Sequence, residues 1–301
     1  MTVTAHGPAG AEGIAGGIGV TALLVAAARA IETRRGDSLA RDRYAEHFVR
    51  AAPVSAGWPV SPGDVPDGEA DPLWGRFARY FGLRTRVLDD YLLRATGAGA
   101  RQVVLLGAGL DTRAFRLGWP EGCTVFEVDR EGVLAFKQRV LDGLRAVPEA
   151  ERVPVPADLR DDWVTALTRA GFDPAAPTAW LAEGLLFYLP AAAETRLIGL
   201  LNGLSAPGSA LAYEVKLEKD LLAYRDSPIY TATRERIGID LLDLFALDPR
   251  PDSVRELAGA GWSTAVHTPF EFTHRHGRGP LPEPNDALAG NRWVFAEKSR
   301  P

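Results

Sequence analysis

The sequence predicts an α/β fold built on a mostly parallel sheet, and three observations carry that expectation. Seven short apolar runs recur through the last two thirds of the chain. Several are separated by stretches of helical periodicity. The first run, "RQVVLL", passes directly into a Gly-x-Gly corner. Strands of four to seven apolar residues alternating with helices build βαβ units, whose parallel strands are buried on both faces.

Residues 1 to 13 are small and polar and read as a disordered tail. Residues 18 to 35 read as a helix ending basic at "ETRRG", with Gly36 as its stop. "DSLARDRYAEHFVRAA" suggests a second, short helix. Residues 52 to 71 are rich in Pro, Gly and Asp and form the longest loop. From Pro72 to Thr96, Leu73, Phe77, Tyr80, Phe81, Leu88, Tyr91 and Leu92 approximate one helical stripe. Pro72 suits its first turn and Gly97 its end.

The strands then follow: 101–106, 123–128, 152–157, 178–183, 209–215, 262–267 and 292–297. Helices are expected from Glu131 to Leu144, where Val133, Phe136, Val140, Leu141 and Leu144 share a face, and from Ala191 to Leu204. The segment joining the last two strands shows no obvious helix, so a closing antiparallel, hairpin-like pair is expected. The architecture is thus a Rossmann-like seven-stranded sheet with helices on both faces and its last strand antiparallel. One domain is expected over 1–301: a helical lid (1–96), a cofactor-binding core (97–215), a cap insertion (216–250) and C-terminal strands (251–301). No internal repeat is visible.

Composition narrows the function. The chain has 301 residues, 46% hydrophobic and 24% charged, as in a globular protein with a sizeable core. A net charge of −5 disfavours a nucleic-acid partner. The single cysteine, Cys123, excludes an intrachain disulfide and fits a reducing compartment. The apolar stretch "IGVTALLVAAARA" is too short to span a bilayer. Glu12 and the lack of Lys or Arg before it argue against a signal peptide. A cytoplasmic location and no membrane partner are expected, and no His/Cys or acidic metal pattern stands out.

Ligands of open α/β sheets bind beyond the carboxyl ends of the strands, and four ends here carry informative residues. Gly107 and Gly109 follow the first strand and permit a tight turn with close ligand approach. Position 112, where a dinucleotide fingerprint needs Gly or Ala, is Thr. Asp129 closes the second strand, where a carboxylate can accept from ribose hydroxyls. Glu127 competes with it, because alternation puts both on one face. Asp158 follows the third strand and can accept from an adenine amine, with Leu159 packing on the ring. Asp161 and Asp162 read as helix caps. Glu183 ends the fourth strand, followed by "GLLFY", and Tyr188 with it completes the candidate catalytic pair.

Six segments together resemble one family: "ARAIETRRGDSLARDRYAEHFV", "RTRVLDDYLL", "VVLLGAGLDTRAFRL", "VFEVDREGVLAFKQRVL", "ADLRDDW" and "WLAEGLLFYLP". In this order and spacing they resemble the class I S-adenosylmethionine-dependent methyltransferases of the leucine carboxyl methyltransferase type. The nearest likeness is to the bacterial, especially actinobacterial, branch that includes polyketide carboxyl O-methyltransferases. The resemblance implies S-adenosylmethionine as cofactor and S-adenosylhomocysteine as product. It implies Gly107 and Gly109 beside the methionine part, Asp129 at the ribose, Asp158 and Leu159 at the adenine, and Glu183 at the methionyl ammonium. It further implies Arg84, or alternatively Arg86, at the methionyl carboxylate, with Arg29 as a second basic residue there. An arginine fork suits a carboxylate.

The expected reaction is methyl transfer to an oxygen, carboxylate or hydroxyl, of a small hydrophobic acceptor. A hydroxyl needs a base; a carboxylate does not. No histidine falls in the motif segments, although His274 and His276 lie before the last strand. The acceptor is expected between the lid and the cap, whose Tyr224, Tyr230, Leu241, Leu242, Leu244 and Phe245 mix with charges. Two other readings stand beside this one. One is an NAD(P)-dependent oxidoreductase, opposed by Thr112 and by the lack of a Tyr-x-x-x-Lys pair after the fourth strand. The other is a relative that binds the cofactor without transferring methyl.

Overall fold

The structure, a computed structural model, describes residues 18–216 and 223–299. The expected disorder of residues 1 to 13 and part of the expected cap, 217–222, lie outside these. Seven strands form one sheet in the order β3-β2-β1-β4-β5-β7-β6. They are β1 (Gln102–Leu106), β2 (Thr124–Asp129), β3 (Glu151–Pro156), β4 (Thr178–Ala182), β5 (Ala210–Lys216), β6 (Trp262–His267) and β7 (Asn291–Lys298). β1 pairs in parallel with β2 and β4, and β7 pairs antiparallel with β5 and β6. The expected order of strand types therefore holds, including the antiparallel last strand. β3 carries Pro154 and Pro156 and sits at the sheet edge, where a missing N–H costs no ladder bond.

Side-chain alternation splits the core in two. Val103 and Leu105 of β1, with Ala210 and Ala212 of β5, face one side; Val104 and Leu106, with Leu211 and Tyr213, face the other. The first side is covered by α1 (Ile18–Thr33), α2 (Ala45–Ala51), α3 (Trp74–Gly97) and α4 (Glu131–Gly143). The second side takes α5 (Trp163–Arg169) and α6 (Ala191–Gly203), with Trp163, Leu167, Leu197 and Leu201 buried. α7 (Pro228–Ile237) belongs to the first side through Ile229 and Tyr230, and α8 (Ser253–Gly259) to the second through Leu257.

α1 is apolar around most of its circumference because it is buried against α2 and α3. Its contact with α3 is close: a Cβ at Gly82 would meet Glu32 Cγ at 2.4 Å. Glu32 is fully buried, and burial raises its carboxyl to about 7 despite a hydrogen bond from Leu39 N.

The expectation of a helix-free link between the last two strands is overturned. α9 (Pro269–His276) fills it and buries Phe272 against the sheet. Its signal was in the sequence: Thr268 and Glu271 form a capping box, and Pro269 takes the first helical position.

Candidate functional site

A cavity of about 540 Å³ opens at the carboxyl ends of β1, β2, β4 and β5, under α1, α3 and α7. The nine residues that the resemblance or the catalytic pair named as first choices line it: Arg29, Arg84, Gly107, Gly109, Asp129, Asp158, Leu159, Glu183 and Tyr188, whereas the alternatives Glu127 and Arg86 do not. The reason is topological. β1 is followed by a crossover to one side and β4 lies on its other side, so their ends diverge around a crevice.

The Gly-x-Gly corner has left-handed backbone at both glycines, φ +62° at Gly107 and +48° at Gly109. A Cβ at Gly107 would stand 3.1 Å from Leu185. The corner is tied to β2 twice. Ala108 N donates to Val128 O at 3.1 Å, and Gly109 N donates to Asp129 Oδ2 at 2.6 Å. Asp129 Oδ1 accepts from Arg130 N at 2.7 Å. Burial raises the Asp129 carboxyl, only partly offset by these two N–H donors.

The structure separates the two β2 carboxylates. Glu127 is fully buried and is gripped by Lys137 Nζ at 2.8 Å and Arg152 Nη2 at 2.7 Å. Its charge is spent on tying β2 to α4 and β3. Asp129 lies at the cavity wall. The arginines separate likewise. Arg86 is exposed and pairs with Asp90 one turn on, whereas Arg84 is buried and lines the cavity. Asp158 is held by Arg160 at the mouth, with Nε at 2.9 Å, and that contact lowers its carboxyl. Arg29 donates to Leu110 O at 2.7 Å and pairs with Asp42 at 3.3 Å. Asp162 caps α5 by accepting from Thr165 N.

Glu183 sits between two arginines, Arg84 Nε at 2.9 Å and Arg113 Nη1 at 2.6 Å. Burial pushes its carboxyl up, but the two cations more than offset this and hold it low. Arg113 is fully buried and also binds Asp89 at 2.7 Å and Asp111. The same cation draws Asp111 down to about 2 against the opposing effect of burial. Arg116 closes the group with a bidentate contact to Asp89.

Sequence reasoning gave Asp111, Arg113, Glu214 and Lys216 no role in the site. Glu214 accepts four hydrogen bonds: Tyr80 Oη at 2.7 Å, Trp293 Nε1 at 2.8 Å, Arg84 Nη1 at 2.7 Å and Gly184 N at 2.8 Å. A carboxylate inside the apolar run "SALAYEV" was the available signal, since a buried charge demands partners.

The other end of the cavity is aromatic. Tyr188 packs on Phe187 and Phe245, and Phe245 on Tyr230. Phe77, Ile229, Leu241 and Leu288 also line the cavity, and Phe81 lies under the Arg84 guanidinium at 4.5 Å. Burial pushes the Tyr188 phenol up to about 12. Among the described residues no histidine lines this cavity; His274 is exposed, and His267 is bound by Glu271 at 2.7 Å. Chemically, one end offers carboxylates and arginines to a zwitterion bearing hydroxyls, and the other offers apolar surface to a second molecule.

Residues 22–202 match the leucine carboxyl methyltransferase family. The chain belongs to that family of S-adenosylmethionine-dependent methyltransferases. Two curated relatives bear the description "Putative S-adenosyl-L-methionine-dependent methyltransferase". One, of Streptomyces coelicolor, is 70% identical over 291 residues, 96% of each chain. The other, of Saccharopolyspora erythraea, is 50% identical over 252 residues, 83% of this chain and 84% of its own. A crystal structure of a DUF574-family protein from Streptomyces avermitilis shares the fold at a TM-score of 0.52 and 15% identity, covering 84% of this chain and 96% of that one. The described residues contain no helix long and apolar enough to cross a membrane.

Proposed function

We propose that the protein is an S-adenosylmethionine-dependent O-methyltransferase acting on a small, apolar acceptor. The observation that carries this reading is the division of one cavity into a charge-paired end and an aromatic end. The first end suits the cofactor in chemistry. Asp129 accepts the ribose hydroxyls, and Asp158 with Leu159 takes the adenine. Glu183 takes the ammonium, while Arg84 and Arg29 face the carboxylate. The left-handed Gly107 and Gly109 leave room for close approach, which a Cβ would remove.

When bound, S-adenosylmethionine supplies a methyl group already activated by a positive sulfur. The chain's task is then to align an oxygen with that methyl and to exclude water. α1, α3 and α7 roof the cavity and serve the exclusion. An acceptor hydroxyl would have to lose a proton, and the cavity wall offers no described histidine to take it. Tyr188, with its phenol held near 12, donates a hydrogen bond at neutral pH and does not serve as base. Both points support a carboxylate as the receiving group. The residues of the reacting end are therefore Glu183, which orients the cofactor, and Tyr188, which positions the acceptor.

The test is titration calorimetry with S-adenosylhomocysteine, followed by transfer of labelled methyl to a panel of apolar carboxylic acids and matched alcohols. Micromolar binding and methyl esters among the products are expected. A protein that binds no adenosyl ligand would refute the reading. Transfer confined to the alcohols would refute the carboxylate.

A further inference from the structure

Lys216 ends β5 where the cap insertion begins, two residues beyond Glu214 and on the same sheet face. It is 8% exposed and lines the cavity. The cavity has three buried basic side chains in its wall, Arg29, Arg84 and Lys216. Arg29 pairs with Asp42, and Arg84 pairs with Glu183 and Glu214. Lys216 has no carboxylate partner among the described residues. Among the described residues its ammonium reaches only Tyr230 Oη and Ala287 O, each at 3.3 Å. Both distances exceed the usual range for a good N–H···O bond. Two rings flank the same nitrogen, Phe245 at 5.7 Å and Tyr230 at 5.8 Å from their centroids.

Glu214, two residues before it on the same strand, does not neutralise Lys216. Its two oxygens already accept four donors, which is the capacity of a carboxylate. A lysine has three N–H donors, and a buried ammonium without a counter-charge is costly unless something arrives to pair it. Lys216 stands in the aromatic end of the cavity, near the Phe245 ring that also packs on Phe187 and Tyr188.

We infer that Lys216 is a specificity-determining residue that seats an anionic oxygen of the acceptor, with the ring wall of Tyr230, Phe245 and Tyr188 packing on its apolar body. The inference rests on the methyltransferase reading, because it assigns the aromatic end to the acceptor. The chemistry recognised is a delocalised oxyanion beside apolar surface, found in a hydrophobic carboxylate or an acidic phenolate. An acceptor of this kind reaches the cavity already deprotonated, so no residue of the chain has to accept its proton. Lys216 selects and places the acceptor; it does not touch the cofactor.

The experiment uses the full chain saturated with S-adenosylhomocysteine. Two pairs of probes are titrated by calorimetry and ligand-observed NMR: naphthoate against naphthamide, and dinitrophenolate against dinitroanisole. Each pair matches an anion with a neutral molecule of similar size. At least one anion should bind about ten-fold or more tightly than its neutral partner, as a charge-assisted contact predicts. The pair that shows the preference identifies carboxylate or phenolate. Lys216→Met should abolish the preference while leaving the affinity for S-adenosylhomocysteine within about two-fold, and Lys216→Arg should restore most of it. Equal binding of anion and neutral probe, no binding of any probe, or a preference that survives in Lys216→Met would overturn the inference. Loss of S-adenosylhomocysteine binding by the wild-type protein would instead strike the methyltransferase reading. If Lys216→Met does not fold, as shown by its own failure to bind S-adenosylhomocysteine, Lys216→Gln is judged by the same criterion.

Discussion

The two ends of the cavity solve the problem of buried charge in opposite ways. At the β1 and β4 ends, Arg84, Arg113 and Arg116 are matched by Asp89, Asp111, Glu183 and Glu214 in a continuous set of ion pairs. At the other end, the Lys216 ammonium sits beside the Tyr230 and Phe245 rings with no carboxylate partner among the described residues. A continuous ion-paired network holds its side chains in fixed positions before any ligand arrives. That suits a ligand of constant structure, such as a cofactor. An apolar wall with a single unpaired charge suits acceptors that vary in shape but share one anionic group.

The comparison breaks most visibly at Arg113, the cation shared by Asp89, Asp111 and Glu183. Arg113→Met would leave three buried carboxylates short of a partner. Removing one member of a buried ionic group costs about 3–5 kcal/mol, and a loss of that size is expected in urea unfolding, together with loss of S-adenosylhomocysteine binding. A variant as stable as the wild type would mean that Arg84 and Arg116 suffice to hold the network.

Next in size is a pH effect in the lid that roofs both ends. The Glu32 carboxyl is raised from 4.5 to about 7 by burial between α1 and α3. A group whose folded value lies above its unfolded value stabilises the fold below the unfolded value. That contribution is lost as pH rises through the folded one. Stability should therefore fall between pH 4.5 and 7, by an amount bounded at about 3 kcal/mol. Glu32→Gln should flatten this window when unfolding is followed at a series of pH values. An unchanged slope in the variant would remove Glu32 as its source.

The fold and the paired end were largely legible because their determinants are local. Each of Gly107, Gly109, Asp129, Asp158 and Glu183 follows directly on an apolar strand run, so strand order alone brings them together. Where local pattern left a choice, contacts across the chain tell the candidates apart. Glu127 and Asp129 alternate identically, and only Lys137 and Arg152 reveal which one is consumed by the core. Arg84 and Arg86 differ only in which face of α3 meets Glu214, 130 residues away. Lys216 was hidden for the same reason. Its significance is that no carboxylate among the described residues pairs with it, and that is a property of three-dimensional neighbours. α9 was missed differently: its capping box was present, but a segment rich in Gly and Pro after it obscured the helix.

Asp129 tests the charge-paired end by itself. Its carboxylate accepts from Gly109 N and Arg130 N, and in the proposed function it also meets two ribose hydroxyls. Asp129→Ala should weaken S-adenosylhomocysteine binding roughly a hundred-fold, the loss of two charge-assisted hydrogen bonds. The anion preference assigned to Lys216 should persist if the probes are titrated without the cofactor product. Calorimetry that finds undiminished S-adenosylhomocysteine affinity would return the ribose role to another residue.

Tyr188 should give the smallest change, and its pH profile matters more than its size. The phenol is pushed up by burial to about 12, with Thr21 as a hydrogen-bond partner. If Tyr188 only donates a hydrogen bond and packs on Phe245, Tyr188→Phe keeps the ring and loses one neutral hydrogen bond. That costs about five-fold in kcat/KM. The pH dependence of kcat between 6 and 9 should be the same in both proteins, because a phenol near 12 does not ionise in that range. A base role would look different: the variant would lose orders of magnitude in kcat, and an ionisation seen in the wild type would vanish with the hydroxyl. Such a result would also favour a hydroxyl acceptor, since an acceptor that binds as an anion leaves Tyr188 no proton to take.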